Sequence, residues 1–375
     1  MKSYINAIGT SSPEYTTSQK EISQFMAKAM KISEDEKPRF DALYRASGIK
    51  QRSSVLEDYS SKGDYSFYAN TEDLEPFPGT ARRMEIYKAE ALKLSLSAIS
   101  KCIKNIPDFN IYEISHIITV SCTGFYAPGL DIEIIESLGL KGNIQRSAIN
   151  FMGCYAAFNA LKIGDAICNS VPGARVLIVC VELCSIHFQK VKDDNNILAN
   201  ALFGDGAAAM ILSSTPMNKL NLYLKNFYCD LAFEGKNEMA WHIGDHGFGM
   251  KLSSYVPDII KTGIKNLTDK LLENLNITLS AIDHFAIHPG GKRILETIEK
   301  ELGITKDDNK YAYEVLRDYG NMSSPTVIFV LDALCKNLSP IADGNNILSF
   351  AFGPGLTLES MLLEVVWNSE INRQK

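Results

Sequence analysis

The sequence predicts an α/β fold built from two similar halves, on three observations. Short, continuous apolar runs of strand length alternate with longer stretches of helical period, as layered α/β proteins require. Matched features recur at a nearly constant offset along the 375 residues. No low-complexity linker interrupts the chain.

In chain order, Met84 to Lys104 carries apolar residues at helical spacing. Ile117 to Val120, Val176 to Val181 and Ala207 to Leu212 are continuous apolar runs suited to buried strands. The same grammar returns in the second half: Ile259 to Leu275 reads as an amphipathic helix, followed by strands at Phe285 to Ile287, Ile347 to Phe352 and Met361 to Trp367. Ile114-Ser115-His116 and Ile282-Asp283-His284 each precede a strand, 168 positions apart. Cys154 and Asn321 each follow a glycine and open a helix, 167 apart, and the strands starting at Val176 and Ile347 are 171 apart. The turns Gly204-Asp205-Gly206 and Gly353-Pro354-Gly355 are only 149 apart, so the first half carries about 22 extra residues after its strand near Glu182. That insertion contains Cys184, His187 and Phe203 and sits where a lid or pocket wall belongs. The halves are placed at 1–214 and 215–375.

Composition narrows the function. With 46% hydrophobic and 22% charged residues the chain can fill two domain-sized cores. A net charge of −6 argues against generic nucleic-acid binding, which rests on a broad basic face. No apolar run approaches the roughly 20 residues that span a bilayer, and the polar start MKSYINAIGTSSPEYTTSQ has no secretory apolar stretch, so a cytoplasmic location is expected. The eight cysteines have neither the density of a disulfide scaffold nor paired CxxC spacing and are expected to be reduced. His242 and His246 form a His-x3-His pair flanking Asp245, but nothing supplies a fourth ligand at suitable spacing, so no metal site is expected.

The chemistry is carried by three segments. IHPGG, with His288, and YGNMSSP, with Asn321, each open a glycine-marked turn out of an apolar strand and offer two donors to one developing oxyanion. NFMGCYAAFNALKIGDAI sets Cys154 at a glycine turn leading into a helix, where unpaired N–H groups and the helix dipole favour a thiolate. Taken singly, these read as a buried thiol, a core histidine and a turn amide. A cysteine hydrolase would use the same trio, with Asn orienting the imidazole. Context separates the two: Lys292 and Arg293 beside the HPGG turn, and Arg39, Arg45, Lys50 and Arg52 near the N-terminus, suit the phosphates of a thioester carrier.

The motifs GARVLIVCVE, ALFGDGAAA, IHPGGKRIL, YGNMSSPTVIFVLD and AFGPGLTLE stand in one order along the chain. With them the sequence resembles the type III polyketide synthases, the chalcone- and stilbene-synthase-like family of the thiolase superfamily, over nearly its whole length. The resemblance implies a duplicated thiolase-like fold layered αβαβα, a homodimer, acyl-CoA and malonyl-CoA as substrates, and no metal or further cofactor. Ketoacyl-ACP synthase III shares the trio but lacks the AFGPG-like turn, and it stands as the alternative.

By the same resemblance, Cys154 is the nucleophile that holds the growing chain, while His288 and Asn321 polarise the malonyl thioester and stabilise its enolate. Phe203 is the gatekeeping aromatic. Arg39 and Arg293, with Gly290 and Gly291, fall at the coenzyme A site; Ala42 and Ala46 occupy two of its basic positions, leaving Arg45 or Lys50 to compensate. At the cavity, His187, Trp241 and Met250 replace the threonine, glycine and second phenylalanine of plant chalcone synthases, Cys122 replaces a threonine, and Ser323 is a further cavity position. Ala127 stands where a methionine reaches into the partner subunit. Trp241 adds an indole to the cavity wall, so few extensions are expected, giving a tri- or tetraketide such as a pyrone or alkylresorcinol, unless the acyl starter turns into a tunnel opened by Ala127.

Overall fold

The computed structural model describes residues 2–61, 63–253 and 255–368. The first half runs β1 (Tyr4–Ser11), β2 (Tyr15–Ser18), α1 (Gln19–Ala29), α2 (Lys37–Ala46), β3 (Gln51–Ser54), α3 (Thr80–Lys104), β4 (His116–Ser121), α4 (Leu130–Ser137), β5 (Gln145–Asn150), α5 (Ala156–Ser170), β6 (Arg175–Leu183), α6 (Asp194–Leu202) and β7 (Asp205–Ser213). The second runs β8 (Leu220–Leu231), β9 (Met239–Gly244), β10 (Gly247–Leu252), α7 (Val256–Glu273), β11 (His284–Ile287), α8 (Lys292–Leu302), α9 (Lys310–Tyr319), α10 (Thr326–Cys335), β12 (Asn346–Gly353) and β13 (Thr357–Trp367).

Nine strands form one sheet in the order β11-β12-β13-β8-β1-β7-β6-β4-β5. Reading outward from its centre, β1-β7-β6-β4 repeats as β8-β13-β12-β11. β4 lies parallel to β6, with Ile118 opposite Ile178, as β11 lies parallel to β12, with Ala286 opposite Ser349. The two arms join where Tyr4 faces Tyr223 and Ile5 faces Leu222. The duplicated thiolase-like architecture is therefore present in four matched strands of each arm.

Helices complete the layers. α5 touches β4, β5, β6, β7 and also β13, while α10 touches β1, β7 and β11, so both lie between the arms. Residues Thr326–Leu331 of α10 are all buried, which is why its apolar run carries no amphipathic period. α3 covers one outer face through Ala91, Ala98, Ile99 and Cys102, and α7 contacts β8 and β13 through Ile260, Ile264, Leu267 and Leu271. These last four recur every three to four residues, and that spacing made α7 readable in the sequence.

Among the described residues the second half has no strand matching β5 in this sheet. Where the first half approaches Cys154 from β5, the second approaches Asn321 from α9, with one bridge between Phe203 and Asn321. Asn321 thus does not leave an apolar strand, as its sequence context suggested.

Candidate active site

The Cys154 turn is shaped by close packing between the halves. Gly153 has φ +84°, and a Cβ there would stand 2.4 Å from Pro354 Cδ, so only a bare glycine lets this turn nest against the Gly353-Pro354-Gly355 turn. His288 leaves β11 with its N–H donated to the Phe350 carbonyl at 2.8 Å. Asn321 follows Gly320, at φ +70°, where a Cβ would meet the Leu202 carbonyl oxygen at 2.8 Å. Its backbone is clamped on both sides, its N–H donating to Leu202 and its carbonyl accepting from Gly204 N–H, each at 2.9 Å.

Cys154, His288 and Asn321 line one pocket, with Cys122, Phe203 and Trp241 among its walls. The Asn321 amide lies 3.9 to 4.0 Å from Cys154 Sγ. Asn321 Oδ1 accepts from Ser323 N–H at 2.8 Å, and Nδ2 donates to the Gly290 carbonyl at 3.4 Å, which leaves the second Nδ2 hydrogen on the Cys154 side. Ser323 holds a left-handed φ of 58°, a conformation that costs about 1 kcal/mol or more in a non-glycine residue, and its hydroxyl lies 3.4 Å from Cys122 Sγ. His288 is fully buried, yet neither ring nitrogen has a hydrogen-bond partner among the described residues. A buried imidazole with both nitrogens unspent thus lines the pocket of Cys154, where buried polar groups are ordinarily paired.

Electrostatics corrects one expectation. Burial pushes the Cys154 thiol up to about 11; the Ser323 hydrogen bond opposes this, Glu182 adds to it and Asn321 opposes it. Burial alone lowers His288 to about 3. Cys154 precedes the first turn of α5, with Tyr155 at the N-cap, but desolvation outweighs that dipole. For each group taken singly, burial therefore opposes the charged form that the helix N-terminus favours at the thiol.

Glu182, at the end of β6, went unread as a site residue. It accepts from Cys122 N–H at 2.9 Å, Thr123 Oγ1 at 2.7 Å and Ser324 Oγ at 2.7 Å, and so ties the end of β4 to the Ser323-Ser324 turn of the other half. Burial raises its carboxyl, against those hydrogen bonds. The signal was available: a lone carboxylate within the apolar run VLIVCVEL.

The insertion after β6 folds as a 3-10 turn, Cys184–His187, followed by α6, and it faces the β9–β10 hairpin. Trp241 stands opposite Met250 across that hairpin, and its indole Nε1 donates to the Cys122 carbonyl at 2.6 Å. His187 stacks on Phe248 at 4.3 Å; its Nδ1 accepts from Phe248 N–H at 3.0 Å and its Nε2 donates to the Thr123 carbonyl at 2.7 Å. It lines a second chamber rather than the catalytic pocket, and Phe203, Trp241 and Met250 line both.

Other predicted residues disperse. Ala127 is exposed and lines neither of these two pockets. Arg39 is paired with Asp194 of α6, Arg45 and Lys50 line a groove between α1 and α2, and Arg293 is exposed on the first turn of α8. None of these four cations lines the Cys154 pocket, while the Lys292 side chain of the HPGGKR segment packs against Gly48, beside Lys50; of the two glycines, Gly290 lines the pocket and Gly291 starts α8. Among the described residues no group of three His, Cys, Asp or Glu is placed to hold a metal ion, and all eight cysteines are free.

A sheet duplicated about its centre, with Cys, His and Asn brought from both arms into one buried pocket, has the architecture of a thiolase-type condensing enzyme. Family comparison agrees: the profile described as chalcone and stilbene synthases, N-terminal domain, matches residues 1–216, and the C-terminal domain profile matches 227–367. The chain belongs to this family and is a type III polyketide synthase, a coenzyme A-dependent acyltransferase of the thiolase superfamily. It is 28% identical over 367 residues to the alpha-pyrone synthesis polyketide synthase-like Pks18 of Mycobacterium tuberculosis, covering 96% of this chain and 91% of that protein. It is 30% identical over 373 residues to probable polyketide synthase 1 of Dictyostelium discoideum, covering 97% of this chain but 11% of that protein. Among solved structures, PKS-I from the brown alga Ectocarpus siliculosus superposes with a TM-score of 0.90 at 30% identity, covering 97% of this chain and 98% of that one. The C-terminal type III domain of Steely1, a type I/III hybrid from Dictyostelium, gives 0.88 at 29%, covering 98% and 100%. These matches do not favour the ketoacyl-ACP synthase III alternative.

Proposed function

We propose that the enzyme loads an acyl-CoA starter onto Cys154 and extends it by iterative decarboxylative condensation with malonyl-CoA, releasing a tri- or tetraketide of the pyrone or alkylresorcinol type. The observation that carries this reading is the convergence of Cys154, an unspent His288 and the clamped Asn321 amide in a pocket narrowed by Trp241. As Cys154 attacks the starter thioester, its proton passes to His288, and the acyl–sulfur bond to coenzyme A breaks, the departing thiolate taking that proton back from the imidazolium. The low-dielectric pocket disfavours each charge alone but strengthens their attraction as a pair. When malonate loses carbon dioxide, His288 and the Asn321 Nδ2 donate to the enolate oxygen, a task that needs donors and no water-activating base. Decarboxylation itself supplies the carbanion, so the reaction calls for no further cofactor. The pyrone class is supported by the similarity to Pks18, whose name refers to alpha-pyrone synthesis.

We further place the enzyme in the cytoplasm, in keeping with its eight free thiols, and take it to be a homodimer. β5 is an edge strand with largely exposed side chains, and Phe125 beside it is 45% exposed, which supports pairing on that side.

Trp241 is the residue that sets chain length in this account. Removing its indole in Trp241→Gly joins the catalytic pocket to the chamber behind it. The variant should therefore make longer products from malonyl-CoA and a panel of acyl-CoA starters, read by mass spectrometry. An unchanged product length would sink the volume argument.

A further inference from the structure

Behind the wall of Phe203, Trp241 and Met250 lies the second chamber, floored mainly by apolar side chains such as Ile22 and Met26 of α1, Phe188 after the 3-10 turn and Ala199 of α6. Two polar groups in its lining are unspent. Thr17 of β2 and Arg52 of β3 are direct cross-strand partners, so their side chains share one face of the ladder. Both are deeply buried, Thr17 at 2% and Arg52 at 4% exposure. Thr17 Oγ1 and Arg52 Nη2 have no hydrogen-bond partner among the described residues. The rest of the guanidinium is engaged: Nε donates to Gln19 Oε1 at 3.1 Å and Nη1 to the Phe203 carbonyl. Asp205, the nearby carboxylate, is spent on Val55 N–H and on the Ser185 N–H and hydroxyl.

A buried guanidinium without a carboxylate partner is costly, and such donors are ordinarily paired. Here two of them stand side by side in the wall of a chamber that shares three residues with the catalytic pocket. We propose that this chamber receives the far end of the acyl starter and selects chains ending in a hydrogen-bond acceptor, a carboxylate foremost, held by Arg52 Nη2 and the Thr17 hydroxyl. As a starter subsite it rests on the synthase reading above. The apolar floor accommodates the methylene chain, and the guanidinium supplies a charge-assisted bond at its end. A plain alkyl end would leave both donors unpaired. Because Arg52 also holds the carbonyl of Phe203, occupancy of the chamber bears on the gating residue itself.

The test compares alkanoyl-CoA and ω-carboxyalkanoyl-CoA thioesters of equal length over a length series. Binding is measured by calorimetry on Cys154→Ala protein, and turnover with malonyl-CoA on protein retaining Cys154. At the length that spans the chamber, the carboxylated thioester should bind about ten-fold more tightly, as expected for one hydrogen bond to a charged group. Thr17→Val, which keeps shape and removes only the hydroxyl, should cut that preference roughly five-fold without changing alkanoyl-CoA binding. Ala199→Phe, which fills the chamber, should abolish it while acetyl-CoA still binds. Equal binding of the matched pair, or a preference untouched by Thr17→Val and Ala199→Phe, overturns the proposal. Binding preference without any condensation would instead refute the synthase reading and leave the chamber assignment standing; condensation of all starters without preference would do the reverse.

Discussion

At the scale of single residues, burial governs the chemistry. His288 is held near 3 against an ordinary 6.5. Between those values the unfolded chain binds a proton that the native chain refuses, so this residue's contribution to stability is intact above about 6.5 and is lost as pH falls towards 3. The slope it adds is at most about 1.4 kcal/mol per pH unit. His187, also lowered to about 3, acts in the same sense. Asp205, raised by burial to about 6, acts in the opposite sense, because there the native chain keeps a proton that the unfolded chain has lost. The difference between two proteins isolates His288: urea titrations should show His288→Gln losing less stability than the parent between pH 6.5 and 5, by about one proton's slope. Parallel curves would contradict the burial account. The trio itself was legible because each member stands in a short glycine-marked motif. Glu182 and Thr17 were not, and Arg52 was read only as a cation for the carrier phosphates, since their importance lies in partners more than 30 positions away or in having none.

At the scale of elements, the site depends on turns that admit no side chain. Gly153→Ala must place a Cβ at φ +84° against Pro354. It should cost at least about 1 kcal/mol of stability, and it should separate the Cys154 turn from the turn that follows β12. Thermal unfolding should show the loss, and condensation should fall much further than stability alone explains. A Gly153→Ala protein with parental activity would show that the two turns need not touch. Periodicity located α3, α7 and the strands β4, β6, β7, β11, β12 and part of β13. It missed β5, whose side chains are mostly exposed, and it gave no period for α10, whose side chains are nearly all buried and which was read only from the glycine turn at Asn321; neither has a polar face alternating with an apolar one. The β9–β10 hairpin, which delivers Trp241 and Met250, was likewise invisible as an element although both residues were singled out.

At the scale of the whole molecule, the near-constant offset between halves proved to be a strand order repeated about the β1–β8 junction. The break in that offset is the α6 insertion that brings Phe203 to the pocket. What could not be read from the chain was the fate of the cations. Arg39 and Arg45 lie on α2 and Lys50 follows it, yet Arg39 pairs with Asp194 while Arg45 and Lys50 line the groove beside α1. The central claim is that the duplicated sheet assembles one iterative condensing site around Cys154. Its most direct test is mass spectrometry of the products formed from isotopically labelled malonyl-CoA and acyl-CoA starters. The account predicts free products carrying two or three malonyl-derived two-carbon units per starter, absent with Cys154→Ala. A single condensation that proceeds only on an acyl carrier protein, or labelled products persisting in Cys154→Ala, would contradict it.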